Sequence, residues 1–371
     1  MSRPAAMIIN LDALRHNLSI AKRCSPLSKI VAVLKANAYG HGAVEVAFAI
    51  QDHVEMFAVS SIEEAMQLRE AGLAKPVLLL EGCFSASELN LASKHDFSVV
   101  FHSEYQINAL EKQTLDKPLS AWLKIDTGMH RLGIYASSGL RLYQRLKDSD
   151  KTQNVVTLMT HMASADLLNE PYTEQQLTEF KQVKKAIIAN GERQISTSIG
   201  NSGTILGWPE GRSDYIRPGI MLYGLSPFNE AHPDADQLQP VMTLQSKIIA
   251  IRNIDAGERV GYGSTWQAQQ PSRVATVAIG YGDGYPRNAK SGTPVLVREK
   301  RAYLAGRVSM DMLSIDITHI PEVRIGDTVT LWGESLSANE VANWADTIGY
   351  ELVTRMPLRV PKTYLLSESG Q

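Results

Sequence analysis

The sequence has 371 residues but only two cysteines, almost no net charge and no long uninterrupted apolar segment. Cys24 and Cys83 are too few for a disulfide framework, and no Cys/His cluster has the spacing of a zinc site. Free thiols in a reducing cytosol are therefore expected. The formal net charge of −2 gives no reason to expect nucleic acid or an anionic membrane surface as a partner.

Targeting and membrane-spanning signals are also missing. A transmembrane helix needs about 20 consecutive apolar residues, and a signal peptide has a basic, apolar and small-residue pattern that the first residues lack. We therefore expect a cytoplasmic protein with no metal, membrane or nucleic-acid partner. A GxGxxG fingerprint and a Walker loop are absent too, so the two common nucleotide-binding motifs give no support for such a function.

What is present in residues 1–232 is an alternation of short apolar runs with longer amphipathic segments, which is typical of βαβ units. About eight such units fit a closed (β/α)8 barrel better than an open doubly wound sheet. The predicted strands are Ile30–Lys35, Met56–Ser60, Val77–Glu81, Phe97–Phe101, Ala121–Asp126, Val156–His161 and Gln194–Ser198. The predicted helices include Ser61–Ala71, Ala86–Ser93, Ser103–Gln113 and Tyr172–Asn190.

The pattern changes after Ser226-Pro227-Phe228, and His232–Asp236 is predicted to be a polar linker. Strand-like runs separated by turns then predominate, with one helical segment at Ala338–Ile348. The predicted strands are Met242–Ile251, Arg273–Ile279, Pro294–Val297, Met312–Ile317 and Thr328–Leu331. The sequence therefore predicts a TIM-like barrel over residues 1–232 and a mostly β domain over residues 233–371.

Lys35 directly follows the predicted buried strand Ile30–Leu34 and begins a segment of small residues, a turn and one aromatic. A lysine at the exit of a buried strand is costly to bury unless it is paired, and its amine is suited to Schiff-base chemistry with an aldehyde cofactor. The alternative is a lysine whose ammonium simply reaches solvent. Functional residues of such barrels lie at the carboxyl ends of strands. Several candidates occupy those positions: Lys35, Lys124 with Arg131, His161, and Asn201–Ser202.

The run Val33–Gly42, Val-Leu-Lys-Ala-Asn-Ala-Tyr-Gly-His-Gly, resembles the cofactor attachment segment of the alanine racemases. The resemblance extends over nearly the whole chain through separate motifs: Leu123–Gly133, Gly200–Gly203, Ile216–Ile220, Val260–Thr265, Ile279–Tyr285 and Arg307–Asp311. It implies a fold-type III enzyme whose barrel, residues 1–232, binds pyridoxal 5'-phosphate (PLP). It also implies a homodimer whose active sites are shared between the subunits.

The same resemblance implies roles for the residues around PLP. Lys35 would bind the cofactor and act as one catalytic base, and Arg131 would face both the substrate carboxylate and the cofactor O3'. Lys124 matches a lysine that is often N-carboxylated, whose new anion would orient Arg131. The remaining cofactor-binding positions are Tyr39, Asn201, Ser202, Gly219 and Ile220 around the phosphate, and His161 beneath the cofactor, bonded to Arg217.

In the second domain the resemblance implies that Tyr262 is the second base and that the Met310 N–H holds the substrate carboxylate. The entrance would be formed by Asp166, Tyr285, Arg307 and Asp311. One departure is that Leu358 precedes Arg359-Val360-Pro361, where some members carry a tyrosine near the phosphate. The resemblance therefore implies an altered entrance and an altered cofactor contact at that position.

The implied function is the two-base, PLP-dependent interconversion of L-alanine and D-alanine, which would supply D-alanine for peptidoglycan. An arginine such as Arg217 at the pyridine nitrogen donates a hydrogen bond and cannot accept a proton, which favours racemisation over side reactions. Three alternatives stay open: a serine or broader-specificity racemase, a decarboxylase of the same fold type, and a non-catalytic PLP-carrier protein. The carrier is disfavoured because such proteins lack the second domain.

Overall fold

The predicted barrel is confirmed by the computed structural model, which describes residues 3–367. Eight parallel strands pair in chain order, and the last pairs with the first to close the barrel. The strands are Lys29–Val33, Met56–Val59, Val77–Leu79, Phe97–Phe101, Leu119–Asp126, Thr152–Met159, Thr197–Ser198 and Tyr215–Ile216. A cluster of buried apolar side chains from these strands, among them Val31, Leu78 and Trp122, forms its own core. The barrel is therefore a packed core rather than a channel.

Helices follow most of the barrel strands. They are Leu11–Cys24, Ala43–Ile50, Ile62–Glu70, Ala86–His95, Glu104–Glu111, Gly139–Asp148, Tyr172–Ala189 and Ser202–Gly207. Capping side chains set the starts of several of these helices. At the start of Ile62–Glu70, for example, the Ser61 hydroxyl accepts a hydrogen bond from the Glu64 N–H. Both cysteines are free and buried.

The second domain is built on an eight-stranded, mainly antiparallel sheet, part of which closes on itself because Ser272–Val277 also pairs with Met242–Ile254. In spatial order the strands are Ser272–Val277, Leu313–Asp316, Lys300–Leu304, Pro294–Val297, Thr328–Trp332, Met242–Ile254, Ala6–Asn10 and Lys362–Leu365. The other elements of this domain are the short hairpin Arg259–Val260 with Trp266–Gln267 and the helices Ala338–Trp344 and Gly349–Thr354. The predicted mostly β domain is therefore confirmed.

One strand lies in a different sheet from the one its sequence position suggests. Ala6–Asn10 falls within the range predicted for the barrel, yet it pairs antiparallel with Met242–Ile254 and parallel with Lys362–Leu365. The sequence analysis missed this strand because five residues carry too little periodicity to show their partner. The chain thus contributes to the second sheet before it enters the barrel, and the boundary at 232/233 stays a prediction.

Within residues 3–367, none of the helices combines the length and the apolar character needed to cross a bilayer. In the same part of the chain, no three His, Cys, Asp or Glu side chains come together as metal ligands would.

Candidate active site

The carboxyl ends of the barrel strands bring four predicted site residues to one mouth. Lys35 follows Lys29–Val33, Lys124 lies near the end of Leu119–Asp126, and His161 follows Thr152–Met159. Arg217 comes directly after the last barrel strand. Because parallel strands end at the same side of the barrel, side chains from distant parts of the sequence meet there.

Lys35 is followed by a left-handed helical turn, Ala36–Tyr39, in which four consecutive non-glycine residues have φ between 52° and 55°. A left-handed conformation costs about 1–2 kcal/mol per L-residue, because Cβ approaches the following carbonyl oxygen. Such strain persists only where surrounding contacts over-determine the backbone, and it concentrates at functional sites. The turn therefore fixes the direction in which Lys35 and Tyr39 leave the chain.

Two buried or partly buried side chains hold the left-handed turn. His41 is fully buried, and its Nδ1 lies 3.0 Å from the Ala38 carbonyl oxygen and 2.9 Å from that of Tyr39. Burial lowers the pKa of His41 to about 4, so the ring is neutral and donates through Nδ1–H. On the other side, the Glu64 carboxylate accepts a hydrogen bond from the Ala36 N–H at 2.7 Å and from the Ser60 N–H at 2.8 Å.

The predicted phosphate residues Ser202, Gly219, Ile220 and Tyr39 lie close together. The Ser202 hydroxyl oxygen accepts hydrogen bonds from the N–H groups of Gly219 (3.0 Å) and Met221 (3.3 Å), which leaves its own hydrogen to donate. The Ile220 N–H donates to no protein acceptor within residues 3–367. A Cβ on Gly219 would lie 2.8 Å from the Tyr39 hydroxyl, so only glycine allows that hydroxyl to approach the backbone here.

Asn201 makes hydrogen bonds that hold this loop in place. Its side-chain oxygen accepts hydrogen bonds from the Thr204 N–H (3.0 Å) and the Thr204 hydroxyl (2.9 Å), and its amide donates to the Met162 carbonyl. Both ends of the Asn201 amide are therefore engaged within the protein. The residue shapes the loop that presents Ser202.

Arg217 is a buried guanidinium, 4% exposed, whose acceptors are all neutral. It donates to the Ser198 hydroxyl at 2.6 Å and to the Thr160 and Ile199 carbonyl oxygens at 2.7 and 3.2 Å. Burial lowers the pKa of Arg217 to about 10, so it stays charged at neutral pH. Its Nη2 also lies 3.5 Å from Nδ1 of His161, whose pKa burial and the Arg217 charge lower well below its usual value. This end of the site can therefore donate hydrogen bonds but cannot supply a carboxylate.

Lys124 is buried beside these cations. Burial lowers its pKa to about 8, with Arg217, Arg131 and Lys35 adding to the effect and Glu81 opposing it. Arg131 itself is exposed at the mouth. The site thus concentrates positive charge from four basic side chains, which is an environment suited to an anionic ligand.

Two further tyrosines complete the site, and the sequence analysis missed both. The Tyr39 ring stacks on Tyr223 at 4.8 Å between centroids, and the Tyr223 hydroxyl donates to the Val33 carbonyl at 2.8 Å. Tyr350, from the second-domain helix Gly349–Thr354, lies 6.2 Å from Tyr39. Burial raises the pKa of Tyr39 to about 12, so its hydroxyl stays protonated and can donate a hydrogen bond. Neither missed tyrosine lies in a recognisable motif, so only the fold reveals them.

The expectation attached to Leu358 is not supported by its position. Its side chain is 91% exposed. The phenol that approaches Tyr39 comes instead from Tyr350. The absence of a tyrosine at 358 therefore removes no contact from the barrel mouth of this chain.

The second-domain candidates Tyr262, Arg307 and Met310 form a separate group, which we call the second-domain face. Tyr262 is 70% exposed and Met310 is 54% exposed, and Arg307 lies against the glycines that flank Tyr262. Within residues 3–367, no hydrogen bond or ion pair links these three residues to the barrel mouth. Hydrogen bonds and ion pairs within the described residues therefore do not join Tyr262 to Lys35.

The predicted entrance residues have different environments. Asp166 is exposed and close enough to Tyr350 for its charge to raise the pKa of that phenol further above its usual value. Asp311 is bound by Arg359, which lowers the pKa of the carboxyl.

The entrance assignment of Tyr285 is contradicted, because its side chain is 1% exposed and stacks on Trp332. Tyr281 is the exposed tyrosine of that segment, and it too was missed.

The comparisons with known proteins agree over both domains. A family model described as the N-terminal domain of alanine racemase matches residues 9–227, and one described as the C-terminal domain matches residues 241–364. The alanine racemase of Pseudomonas taetrolens is 50% identical over 363 residues, which cover 98% of this chain and 99% of that protein. A Pseudomonas putida protein named "alanine racemase, catabolic" has the same identity and coverage.

A solved structure extends this agreement to three dimensions. The crystal structure of the biosynthetic alanine racemase from Pseudomonas aeruginosa has a TM-score of 0.93 and 44% identity, covering 98% of this chain and 100% of that one. Because the family models, the sequence relatives and the fold all agree over nearly the full length, the chain belongs to the alanine racemase family of amino-acid racemases.

Proposed function

We propose that this protein is a PLP-dependent racemase that interconverts L-alanine and D-alanine. The observation that carries the proposal is the buried, carboxylate-free Arg217 at the barrel mouth that also holds Lys35. The names of the relatives and of the solved structure support alanine as the substrate.

The residues at the mouth fit PLP. The Ser202 hydroxyl, the Ile220 N–H and the protonated Tyr39 hydroxyl would bind the phosphate, with Gly219 keeping the backbone close to Tyr39. Lys35 would provide the amine that binds the cofactor aldehyde. When bound, PLP supplies electron withdrawal that acidifies the hydrogen on the substrate Cα.

Arg217 favours racemisation over other reactions of an amino acid. A carboxylate at the pyridine nitrogen would accept a hydrogen bond from the protonated nitrogen and keep it protonated, which would favour strong carbanion stabilisation, whereas a guanidinium only donates. His161 is neutral and partly buried beside Arg217, and would help to orient it. Weak carbanion stabilisation would keep that species short-lived, so a proton returns to Cα before another bond breaks.

Racemisation needs a base on each face of the substrate Cα, and this chain alone supplies one. We propose that Lys35 acts on D-alanine and that Tyr262 of a second copy acts on L-alanine, so that the functional unit is a homodimer. The exposure of Tyr262 and Met310 supports this proposal, because a second chain could cover both. Arg131 and the Met310 N–H would then hold the carboxylate, which is retained, with Arg307 at the entrance.

We also propose that Lys124 becomes N-carboxylated. Its lowered pKa leaves a fraction of the amine neutral at physiological pH, and a neutral amine can attack carbon dioxide and release one proton to give the carbamate. The resulting anion would balance Arg217 and orient Arg131. Intact-mass measurement of active protein tests this, and full activity with an unmodified Lys124 would exclude it.

The test of the function combines cofactor absorbance with a racemisation assay on wild type, Tyr262→Ala and Tyr303→Ala. Tyr303 is the control, because it is an exposed tyrosine on the second-domain strand Lys300–Leu304 whose ring lies beside His319 and in none of the predicted site motifs. We expect Tyr262→Ala to keep the PLP absorbance but lose racemisation, while Tyr303→Ala keeps both. A wild type that binds PLP and racemises no amino acid would favour the carrier.

The competing enzyme activities need a second assay. Turnover of alanine, serine, lysine and arginine separates the narrow racemase from a broader one, and carbon dioxide release tests for a decarboxylase. We expect alanine to be the best substrate and no carbon dioxide to form.

We further propose the cellular role and the domain division. Supply of D-alanine for peptidoglycan predicts that deletion of the gene makes growth depend on added D-alanine. The names of the relatives include both "catabolic" and "biosynthetic", so this experiment decides between two roles.

The boundary at 232/233 is supported by the gap between the two family matches, and a cytoplasmic location agrees with the two free cysteines.

A further inference from the structure

Two arginines from opposite ends of the chain meet at one buried carboxylate. Asp283 is fully buried; its Oδ2 accepts a hydrogen bond from Nη2 of Arg3 at 2.7 Å, and its Oδ1 lies 2.8 Å from Nε of Arg359. Both arginines also reach Asp311: Nη2 of Arg359 donates to its carboxylate at 2.6 Å, and Nη2 of Arg3 to its carbonyl oxygen at 3.3 Å. We call these four residues the two-arginine cluster. Its charges balance, which allows Asp283 to be both ionised and buried.

The cluster surrounds the backbone that carries Met310. The N–H groups of Tyr281 and Gly282 donate to the carbonyl oxygens of Ser309 (3.0 Å) and Met310 (2.8 Å). Asp283 fixes that turn, because its Oδ2 accepts a hydrogen bond from the Gly280 N–H at 3.0 Å. A Cβ on Gly280 would collide with the Ser309 carbonyl oxygen, so the two segments are in direct backbone contact.

The Met310 N–H itself is left available by this arrangement. Within residues 3–367 it donates to no protein acceptor, while both carbonyl groups on either side of it, those of Ser309 and Met310, are engaged. The Ser309 N–H is also used, since it donates to the Met312 carbonyl at 2.9 Å. The peptide that carries the Met310 N–H is thus held from several sides while its donor points away from the protein's own acceptors.

We propose that Asp283, acting through Arg3 and Arg359, is a positioning residue that aims the Met310 N–H at the carboxylate of the substrate. This proposal rests on the proposed function, in which Met310 serves the active site of a second copy. The cluster touches neither the substrate nor PLP in that scheme. Its effect is confined to the direction and rigidity of one hydrogen-bond donor.

The experiment compares Arg359→Gln, Arg359→Lys and Asp283→Asn with the control Arg355→Gln in the full-length, PLP-loaded protein. Arg355 is a matched control, because it forms an exposed ion pair with Glu351 four residues before it and has no contact with Asp283 or Asp311. The measurements are kcat and KM for L-alanine, the PLP absorbance, and inhibition by propionate. Propionate is alanine without its amine, so it reports on the carboxylate contacts alone.

We expect Arg359→Gln to raise KM and the propionate inhibition constant about tenfold, the scale of one lost hydrogen bond to a charged group. PLP absorbance should be unchanged, and kcat should change much less than KM, because ground-state and transition-state binding of the carboxylate weaken together. Arg359→Lys should recover part of the loss, because it restores the charge without the planar fork. Arg355→Gln should behave as wild type.

The proposal is overturned if folded, PLP-loaded Arg359→Gln keeps the wild-type KM and propionate inhibition, or if Arg355→Gln changes them equally. Asp283→Asn tests the same effect on KM and propionate inhibition at the centre of the cluster. If Asp283→Asn does not fold, Arg359→Gln alone decides the result. A wild type that fails to racemise alanine would overturn the proposed function and this inference together. An active wild type with unchanged variants would overturn this inference only.

Discussion

The barrel mouth and the second-domain face are built in opposite ways. At the mouth, Arg217 and Lys124 are buried, and Arg217 is held by three acceptors of the same chain. On the second-domain face, Tyr262 and Met310 are largely exposed and their reactive groups contact no protein acceptor or donor in the described residues. The mouth is therefore preorganised before any partner arrives, whereas the face gains burial only when another chain covers it.

This difference has a simple structural origin. Parallel strands bring their carboxyl ends together, so a closed barrel gathers side chains without needing another molecule. The second-domain residues come from turns between antiparallel strands: Tyr262 lies between Arg259–Val260 and Trp266–Gln267, and Met310 lies between Lys300–Leu304 and Leu313–Asp316. A base in such a turn is accessible to a second subunit, and the shared site proposed above follows from that placement.

The largest expected effect tests whether the two regions belong to one site in different chains. Lys35→Ala and Tyr262→Ala protomers should each be inactive alone. Random mixing makes half of the dimers mixed, and one of the two sites in each mixed dimer has both bases. Activity should therefore rise from nearly nothing to about a quarter of wild type.

The measurement is racemisation after the two variants are unfolded and refolded together, with each refolded separately as a control. If the sites lay within single chains, the mixture would be as inactive as its components. A recovery above one half, the maximum if every dimer were mixed, would instead require a site that does not need both residues.

A smaller effect is expected from the buried group that holds the left-handed turn at the mouth. The pKa of His41 is about 4 in the folded protein against an ordinary 6.5. Because the folded pKa is depressed, its contribution to stability is complete above pH 6.5 and is lost as the pH falls through 4. The pKa difference amounts to about 3 kcal/mol.

His41→Asn should therefore flatten the loss of stability between pH 6.5 and 4, and should destabilise the protein at neutral pH because the smaller side chain leaves part of the buried imidazole site empty and loses the stacking on Tyr223. Denaturant unfolding across this pH range measures both effects. His53→Asn is the control, since that histidine is exposed. An unchanged pH profile in His41→Asn would mean that another group carries the acid sensitivity.

Glu64 tests how much the left-handed turn contributes to the barrel mouth, because Glu88 occupies a similar position at another helix start away from the site. Both Glu64 and Glu88 lie three residues after a serine at a helix start, yet only Glu64 also accepts the Ala36 N–H of the left-handed turn. Glu64→Gln should cost about 1–2 kcal/mol of stability, since an amide nitrogen then faces a backbone donor. It should also lower kcat, because Lys35 is displaced.

Thermal unfolding and racemisation rates of Glu64→Gln and Glu88→Gln provide the test. Glu88→Gln should change stability by no more than about 0.5 kcal/mol and leave activity intact, because its partners Phe84 and Ser85 belong to its own helix start and not to the left-handed turn. Equal effects of the two substitutions would show that the capping role, and not the contact with Ala36, explains the result.

The sequence predicted the mouth better than its surroundings, and particular residues show why. Strand periodicity located Lys35, Lys124 and His161, because a barrel places every strand end at one side. Tyr350 could not be found this way, since its contact with Tyr39 joins residues more than 300 positions apart. Tyr285 was placed at the entrance by the resemblance of its segment to the family, and a motif of this kind does not show which of its two tyrosines is buried.

The first strand shows the same limit at the level of the fold. Ala6–Asn10 pairs with segments near residues 242 and 362, and nothing local indicates those partners. The left-handed turn was equally hidden, because Ala36 and Ala38 favour an ordinary helix by propensity. In each case, distant contacts and not local sequence decide the conformation.

The smallest expected effect comes from position 358, where some family members carry a tyrosine and this chain carries Leu358. Position 350, which carries Tyr350 here, serves as the comparison. Leu358→Tyr should leave turnover, substrate range and PLP affinity within about twofold of wild type, because a side chain that is 91% exposed gains no partner at the mouth. Tyr350→Phe should change PLP affinity measurably. It keeps the ring that lies beside Tyr39 but removes the hydroxyl whose pKa responds to Asp166. Steady-state kinetics and PLP titration of both variants test this. A response to Leu358→Tyr would require that a second subunit bring that position to a site, because within one chain Tyr350 already fills the space beside Tyr39.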